Sequence, residues 1–193
     1  METMLGVFLG VGLSAACGFR IFVPLLIMSI ASLSGALTLS PEFEWIASYP
    51  ALAAFAIATI SEIAAYYIPW LDNLLDTIAV PAAMVAGTIV MASAVTEMTP
   101  LLKWALAVIV GGGVAGTIQG FTSITRVAST VTTGGLGNPI LSTAEAGSSV
   151  VMSILAIAMP VVTVVAVIVL IFFSVRKIYG WITRRKRLET QHE

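Results

Sequence analysis

Arg20, Glu62, Arg126 and Glu145 stand inside long apolar or hydroxyl-rich stretches of a 193-residue chain that is 59% hydrophobic and only 10% charged. An arginine near the middle of a bilayer costs about 2.5–3.5 kcal/mol on the insertion scale, so it must face the protein interior and find a partner. Its planar, five-donor head matches carboxylate or phosphate oxygens two at a time. Gly18, just before Arg20, permits an unwound backbone whose free N–H groups add to an anion site. Two readings of Arg20 stand side by side: contact with an anionic substrate, or an internal ion pair with Glu62. Glu62 has Tyr66 at i+4 on the same helix face, within hydrogen-bonding reach. It is either a static counter-charge or a proton carrier.

The stretch Thr122–Glu145 is the richest in chemistry. Hydroxyls at Thr122, Ser123, Ser129 and Thr130 surround Arg126, then Gly134, Gly135 and Gly137 free the backbone, and Asn138-Pro139 sets a turn or break. Ser142-Thr143-x-Glu145 resembles a capping box opening the last helix, with Glu145 as a further counter-charge. Arg20, Gly18, Arg126, Thr122, Ser123, Ser129, Thr130, Gly135 and Asn138 therefore form the expected anion or headgroup site. The competing reading of the second stretch is an ordinary polar loop outside the membrane. Asp72 and Asp76, at i and i+4 beside Asn73, either hold a hard cation or cap and charge the start of a helix. No metal site or cofactor is expected, because His192 is the only histidine and Cys17 the only cysteine. No nucleophile–histidine dyad and no phosphate-binding loop can be built, so the chain reads as no enzyme. Gly111-Gly112-Gly113, inside an apolar helix, reads as close packing.

The elements that must position these residues are membrane spans. A mean hydropathy of +1.04 and the low charge exclude a soluble domain, disorder, a disulfide scaffold and a nucleic-acid binder. About 20 apolar residues cross a hydrocarbon core of roughly 30 Å. Five runs qualify: 4–37, interrupted at 15–20 and Pro24; 51–70; 75–94, with Pro81; 101–118, continuing Thr/Ser-rich to 133; and 148–173, with Pro160. The polar connections, 134–147 among them, are too short for a second domain. The fold class is all-α, a polytopic transmembrane helical bundle with broken helices, one domain over 1–193. Residues 1–175 carry three basic groups against eight acids, whereas 176–193 carry six basic groups and two acids. That tail, with Tyr179 and Trp181 as an interfacial belt, places the C-terminus in the cytoplasm of a multi-pass inner-membrane protein. Counting spans back puts the 134–147 connection outside, Glu97–Lys103 inside, Asp72/Asp76 outside and Glu42/Glu44 inside. The first run lacks the basic leader of a standard cleavable signal peptide.

Leu5–Arg20 and Ala107–Phe121 are self-similar, with Gly10, Gly18 and Phe19 falling on Gly112, Gly120 and Phe121. This points to halves at 1–96 and 97–175, inverted if the first run crosses once, as in many secondary transporters; recurrent Gly and Ala in membrane helices are the other explanation.

The segments Ser14-Ala-Ala-Cys-Gly-Phe-Arg20 with Pro24, Pro69-Trp-Leu-Asp-Asn-Leu-Leu-Asp76 with Pro81, and Arg126 through Glu145 make the chain resemble the bacterial family of small membrane proteins known as domain of unknown function 4126. The resemblance covers nearly the whole chain. It implies a helical membrane protein and supplies no activity. The expected function is a small transporter or lipid translocase for a carboxylate- or phosphate-bearing substrate, working among membrane lipids and reaching transport size as a homodimer. The alternative is a non-transporting membrane scaffold or assembly subunit with internal Arg–Glu pairs.

Overall fold

Apolar runs punctuated by Gly and Pro fold as helices joined by short breaks in the computed structural model, which is 85% helical with no strand among the described residues. The described residues are 2–189, in backbone only at 2, 69–74, 76, 174 and 177–189. Helix α1 covers Glu2–Cys17 and α2 Phe22–Leu33, followed by a 3-10 turn at Pro41–Ala47 and α3 at Tyr49–Ala65. Helix α4 covers Pro69–Ala94. Helix α5 runs from Pro100 to Thr133, 34 residues with a π-helical stretch at Ala107–Gly112. Helices α6 (Asn138–Ala158) and α7 (Pro160–Glu189) complete the chain. Three of these helices are long and apolar enough to cross a membrane, and the 3-10 turn with α3, bent by 67°, makes a fourth span if counted as one. By length and composition these helices point to a multi-pass helical membrane protein.

Two of the breaks reverse the chain. Helix α1 runs antiparallel to α4: Gly6 packs on Ala94, Gly10 on Met91, and the Ser14 hydroxyl donates to the Gly87 carbonyl at 2.9 Å. Helix α2 returns toward the end it came from, since the Ser93 hydroxyl reaches Met28 Sδ and the Ser40 amide donates to the Ser93 carbonyl. The long first run is thus a hairpin broken at residues 18–21. The second reversal is at Met159-Pro160. Gly12 packs against both Ala156 of α6 and Thr163 of α7, while Ser149 donates to the Ala16 carbonyl and Val167 packs on Ala15. Pro160 has no amide to continue α6, so the run 148–173, expected as one span, splits into two antiparallel helices.

This corrects the expected topology. The Lys103–Glu42 ion pair puts Glu97–Lys103 and Glu42/Glu44 at one end, as read from the sequence. The 134–137 turn lies at the other end, and α7 heads back toward that same end instead of away from it. The inverted pairing of Leu5–Arg20 with Ala107–Phe121 is also absent: both segments leave the Lys103 end and run the same way. The first breaks at Gly18, whereas the second stays helical through Gly120 to Thr133.

Packing is closest between α4 and α5. A Cβ on Gly87 would fall 2.6 Å from both the Ala115 Cβ and the Gly111 carbonyl oxygen. Backbones meet this way where small residues face each other, and the π-helical stretch sits at that contact. The apolar core around Leu13, Met28, Val90, Met91 and Ala115 lies between α1, α2, α4 and α5.

Candidate functional site

Arg20 sits in the backbone break that ends α1. Its amide still donates to the Ala16 carbonyl at 3.1 Å, but the next two amides, Ile21 and Phe22, have no helical acceptor. Glu62, in the last turn of α3, supplies one: Oε1 accepts from Ile21 N at 2.8 Å and Oε2 from Phe22 N at 3.1 Å. An acidic side chain across two amides at a helix N-terminus is favoured by hydrogen bonding and by the helix dipole. Unwound backbone deep in a membrane protein persists when it is satisfied this way. Glu62 is therefore the cap of α2, and the expected Arg20–Glu62 ion pair is replaced by another partner.

That partner is Glu145. Arg20 and Arg126 are 1% and 2% exposed, and both guanidinium groups meet the one Glu145 carboxylate. Arg126 takes it in two-point fashion, Nε donating to Oε1 at 3.1 Å and Nη2 to Oε2. Arg20 Nη2 lies 3.4 Å from Oε2 and donates to the Ser142 carbonyl oxygen at 3.0 Å and to Ser142 Oγ at 2.5 Å. The Tyr66 ring faces both arginines, its centroid 3.9 Å from Cζ of Arg20 and 4.0 Å from Cζ of Arg126, within cation–π range. Nε and Nη1 of Arg20 are buried and have no hydrogen-bond partner among the described residues.

Helices α5 and α6 place this cluster by simple register. Arg126 is seven residues before the end of α5 and Glu145 seven after the start of α6, so each lies roughly 10 Å inside its helix at 1.5 Å per residue. The turn between them is made by Gly134 and Gly135, at φ of +63° and +88°, conformations that favour glycine. Asn138 Nδ2 then donates to Thr130 Oγ1 at 3.1 Å, tying the two helices together. Ser142 and Glu145 are three residues apart on one face of α6. The expected capping box is therefore not a cap: Asn138-Pro139 opens the helix, and Ser142 and Glu145 are inside it facing the arginines.

The hydroxyl lining expected around Arg126 is mostly spent locally. Thr122 donates to the Gln119 carbonyl and Thr130 to the Arg126 carbonyl, the back-bonding common for helical threonine. Ser123 accepts from Gln119 Nε2 at 3.5 Å, and Ser129 lies beside Gly137 at the turn. Gly135 shapes the turn and Gly18 the break, where a Cβ would meet Ile118 at 2.6 Å. The expected site thus keeps Arg20, Arg126, Glu145 and, one step away, Glu62, and gains Ser142 and Tyr66. Tyr66, expected by its i+4 spacing to reach Glu62, has its ring against the two arginines. The side chains of Asp72 and Asp76, and those of Tyr179 and Trp181, lie outside the described residues; α4 opens at Pro69, ahead of Asp72.

Residues 7–179 match the family model described as a domain of unknown function, DUF4126. The chain belongs to the DUF4126 family. No curated protein and no solved structure matches it. The match covers α1 to well into α7, so the cluster of this DUF4126 protein lies wholly within it. At the opposite end, this DUF4126 protein carries a second charged group. Lys103 Nζ, buried, donates to Ser40 Oγ and to Glu42 Oε2, the latter at 2.8 Å. Ser40 Oγ also donates to Glu42 Oε2, and the hydrogen bonds from Lys103 and Ser40 hold the pKa of the exposed Glu42 carboxyl down at about 2.

Proposed function

We propose that this protein moves a small anion, bearing a carboxylate or a phosphate, across the membrane, and that Arg20 and Arg126 bind it. One observation carries the reading. Two buried guanidinium groups meet the Glu145 carboxylate, and two nitrogens of Arg20 are buried without an acceptor among the described residues. An unmade hydrogen bond from a buried donor costs about 1–3 kcal/mol, more when the donor is charged. Intramembrane ionisable groups mark substrate pathways by default, and an oxyanion satisfies these donors. With the basic tail cytoplasmic, as the positive-inside rule places it in an inner membrane, the cluster would lie about 10 Å from the cytoplasmic ends of α5 and α6. Glu145 is the resident counter-charge, and Glu62 fixes the break that presents Arg20.

A second reading, a scaffold subunit with internal Arg–Glu pairs, is supported by the complete two-point pair between Arg126 and Glu145. The two are separated by uptake into proteoliposomes of radiolabelled succinate, glutamate and inorganic phosphate, with empty vesicles and R20Q in parallel. Vesicles containing phosphatidylglycerol with a fluorescent headgroup test a lipid substrate. Saturable uptake of one probe, lost in R20Q, is expected. Wild-type uptake equal to empty vesicles for every probe sinks the transport reading and leaves the scaffold.

A further inference from the structure

The two arginines are not in the same condition. Arg126 presents an edge already filled by both oxygens of Glu145, whereas Arg20 donates through Nη2, and its Nε and Nη1 have no acceptor among the described residues. An anion arriving beside Glu145 would have to share the cluster with a carboxylate already in place, with the Glu62 carboxylate close by on the α2 amides. Like charges that close disfavour each other strongly away from water. An anion arriving instead of Glu145 leaves the charge of the cluster unchanged, remakes the bonds to Arg126 and, untethered, also reaches the open donors of Arg20. We propose that Glu145 is a tethered competitor for the substrate, and that the substrate group which displaces it is a carboxylate.

The chemistry favours a carboxylate for two reasons. The position on Arg126 is shaped around a planar, two-oxygen group held along a guanidinium edge. Tyr66 covers a face of each guanidinium, so a ligand approaches in the plane of the edges, where a carboxylate fits and a tetrahedral group presents surplus oxygens. Release is also concerted. Ser142, on Arg20, and Glu145, on both arginines, share one face of the first two turns of α6, which follow the Gly134–Gly137 turn. Movement of those turns frees both arginines together. The inference rests on the reading of the cluster as an anion site, but its test uses purified protein and needs no transport.

The test is chemical rescue. Glu145→Ala removes the tethered carboxylate, and its thermal midpoint is followed against sodium acetate, with sodium chloride at matched ionic strength and sodium phosphate alongside. The variant is expected to melt below wild type and to recover saturably with acetate. Its half-saturating acetate concentration should be about tenfold or more below that of wild type, where Glu145 occupies the site most of the time. The double variant R126Q/E145A should show no acetate response. Equal acetate affinity in wild type and E145A, or no response beyond chloride, overturns the competitor. Recovery with phosphate and not acetate overturns the carboxylate assignment while leaving an anion site in place. If E145A aggregates even when prepared in acetate, E145D, whose shorter arm leaves the Arg126 edge incompletely filled, is read the same way; acetate affinity no tighter than wild type then overturns the proposal.

Discussion

Removing the shared carboxylate should cost far more than removing either of its partners. Glu145→Gln leaves two buried guanidinium groups, Arg20 and Arg126, without their common counter-charge. Breaking one side of a buried ion pair typically costs about 3–5 kcal/mol, or roughly two to three and a half decades in the folded-to-unfolded ratio. Arg126→Gln is milder because Glu145 keeps Arg20 at 3.4 Å, so the lost two-point contact should cost about 1–3 kcal/mol. The double variant R126Q/E145Q removes both sides of the two-point contact, and the cycle should show coupling of about 1–3 kcal/mol. Reversible unfolding of the four proteins in mixed micelles, titrated with a denaturing detergent and followed by circular dichroism, reads these differences. Arg126→Gln costing as much as Glu145→Gln, or a cycle additive within about 0.5 kcal/mol, would refute the shared-carboxylate argument.

Other outcomes follow from the same geometry. Glu62→Gln keeps one good acceptor at the α2 N-terminus and should cost about 0.5–2 kcal/mol, with faster amide exchange at Ile21 and Phe22; unchanged exchange at both amides would contradict the cap. Gly87→Ala sets a Cβ 2.6 Å from Ala115 and from the Gly111 carbonyl, so overpacking should cost about 1–3 kcal/mol. Gly113→Ala meets nothing within 4 Å and should be neutral or stabilising by up to about 1 kcal/mol; equal effects from the two would refute the α4–α5 contact. The Glu42 carboxyl is held at about 2 in the folded protein, below its ordinary 4.5. Its contribution to stability is therefore present above pH 4.5 and lost as the pH falls toward 2. A pH titration of the thermal midpoint should lose part of its acid slope in E42Q, and an unchanged slope would contradict the Lys103–Glu42 contact.

How much of this was legible in the sequence differs from residue to residue. Helical membrane character follows from continuous apolar runs of about 20 residues, because in lipid only helices and closed barrels satisfy the backbone, and barrel strands are about half that length and alternate in polarity. Arg20, Arg126, Glu62 and Glu145 stand out as charges in apolar or hydroxyl-rich runs, and they do converge. Their pairing was hidden because it depends on which helices are neighbours. Arg20 and Glu62 are close in space, yet the amides freed by the break at Gly18 claim Glu62 first, and Arg20 turns to Glu145, far along the chain. The reversal at Met159-Pro160 was masked by uniform hydropathy: a proline inside a long apolar run reads equally as a kink. The mistaken capping box has a similar origin, since Ser142-Thr143-x-Glu145 fits that pattern while Asn138-Pro139, four residues earlier, already starts the helix. Ser142 and Tyr66 had usable signals, spaced i to i+3 from Glu145 and i+4 from Glu62, but those signals named the wrong partners.

The claim that two buried arginines form an anion site is tested most directly by the thermal midpoint of purified wild type and R20Q against succinate, glutamate, acetate and inorganic phosphate, with chloride at matched ionic strength. A ligand that binds only the folded protein raises the midpoint with its concentration. The account predicts a saturable rise for a carboxylate in wild type that disappears in R20Q. A folded R20Q with the same response as wild type, or a wild type that answers no anion beyond chloride, would contradict it.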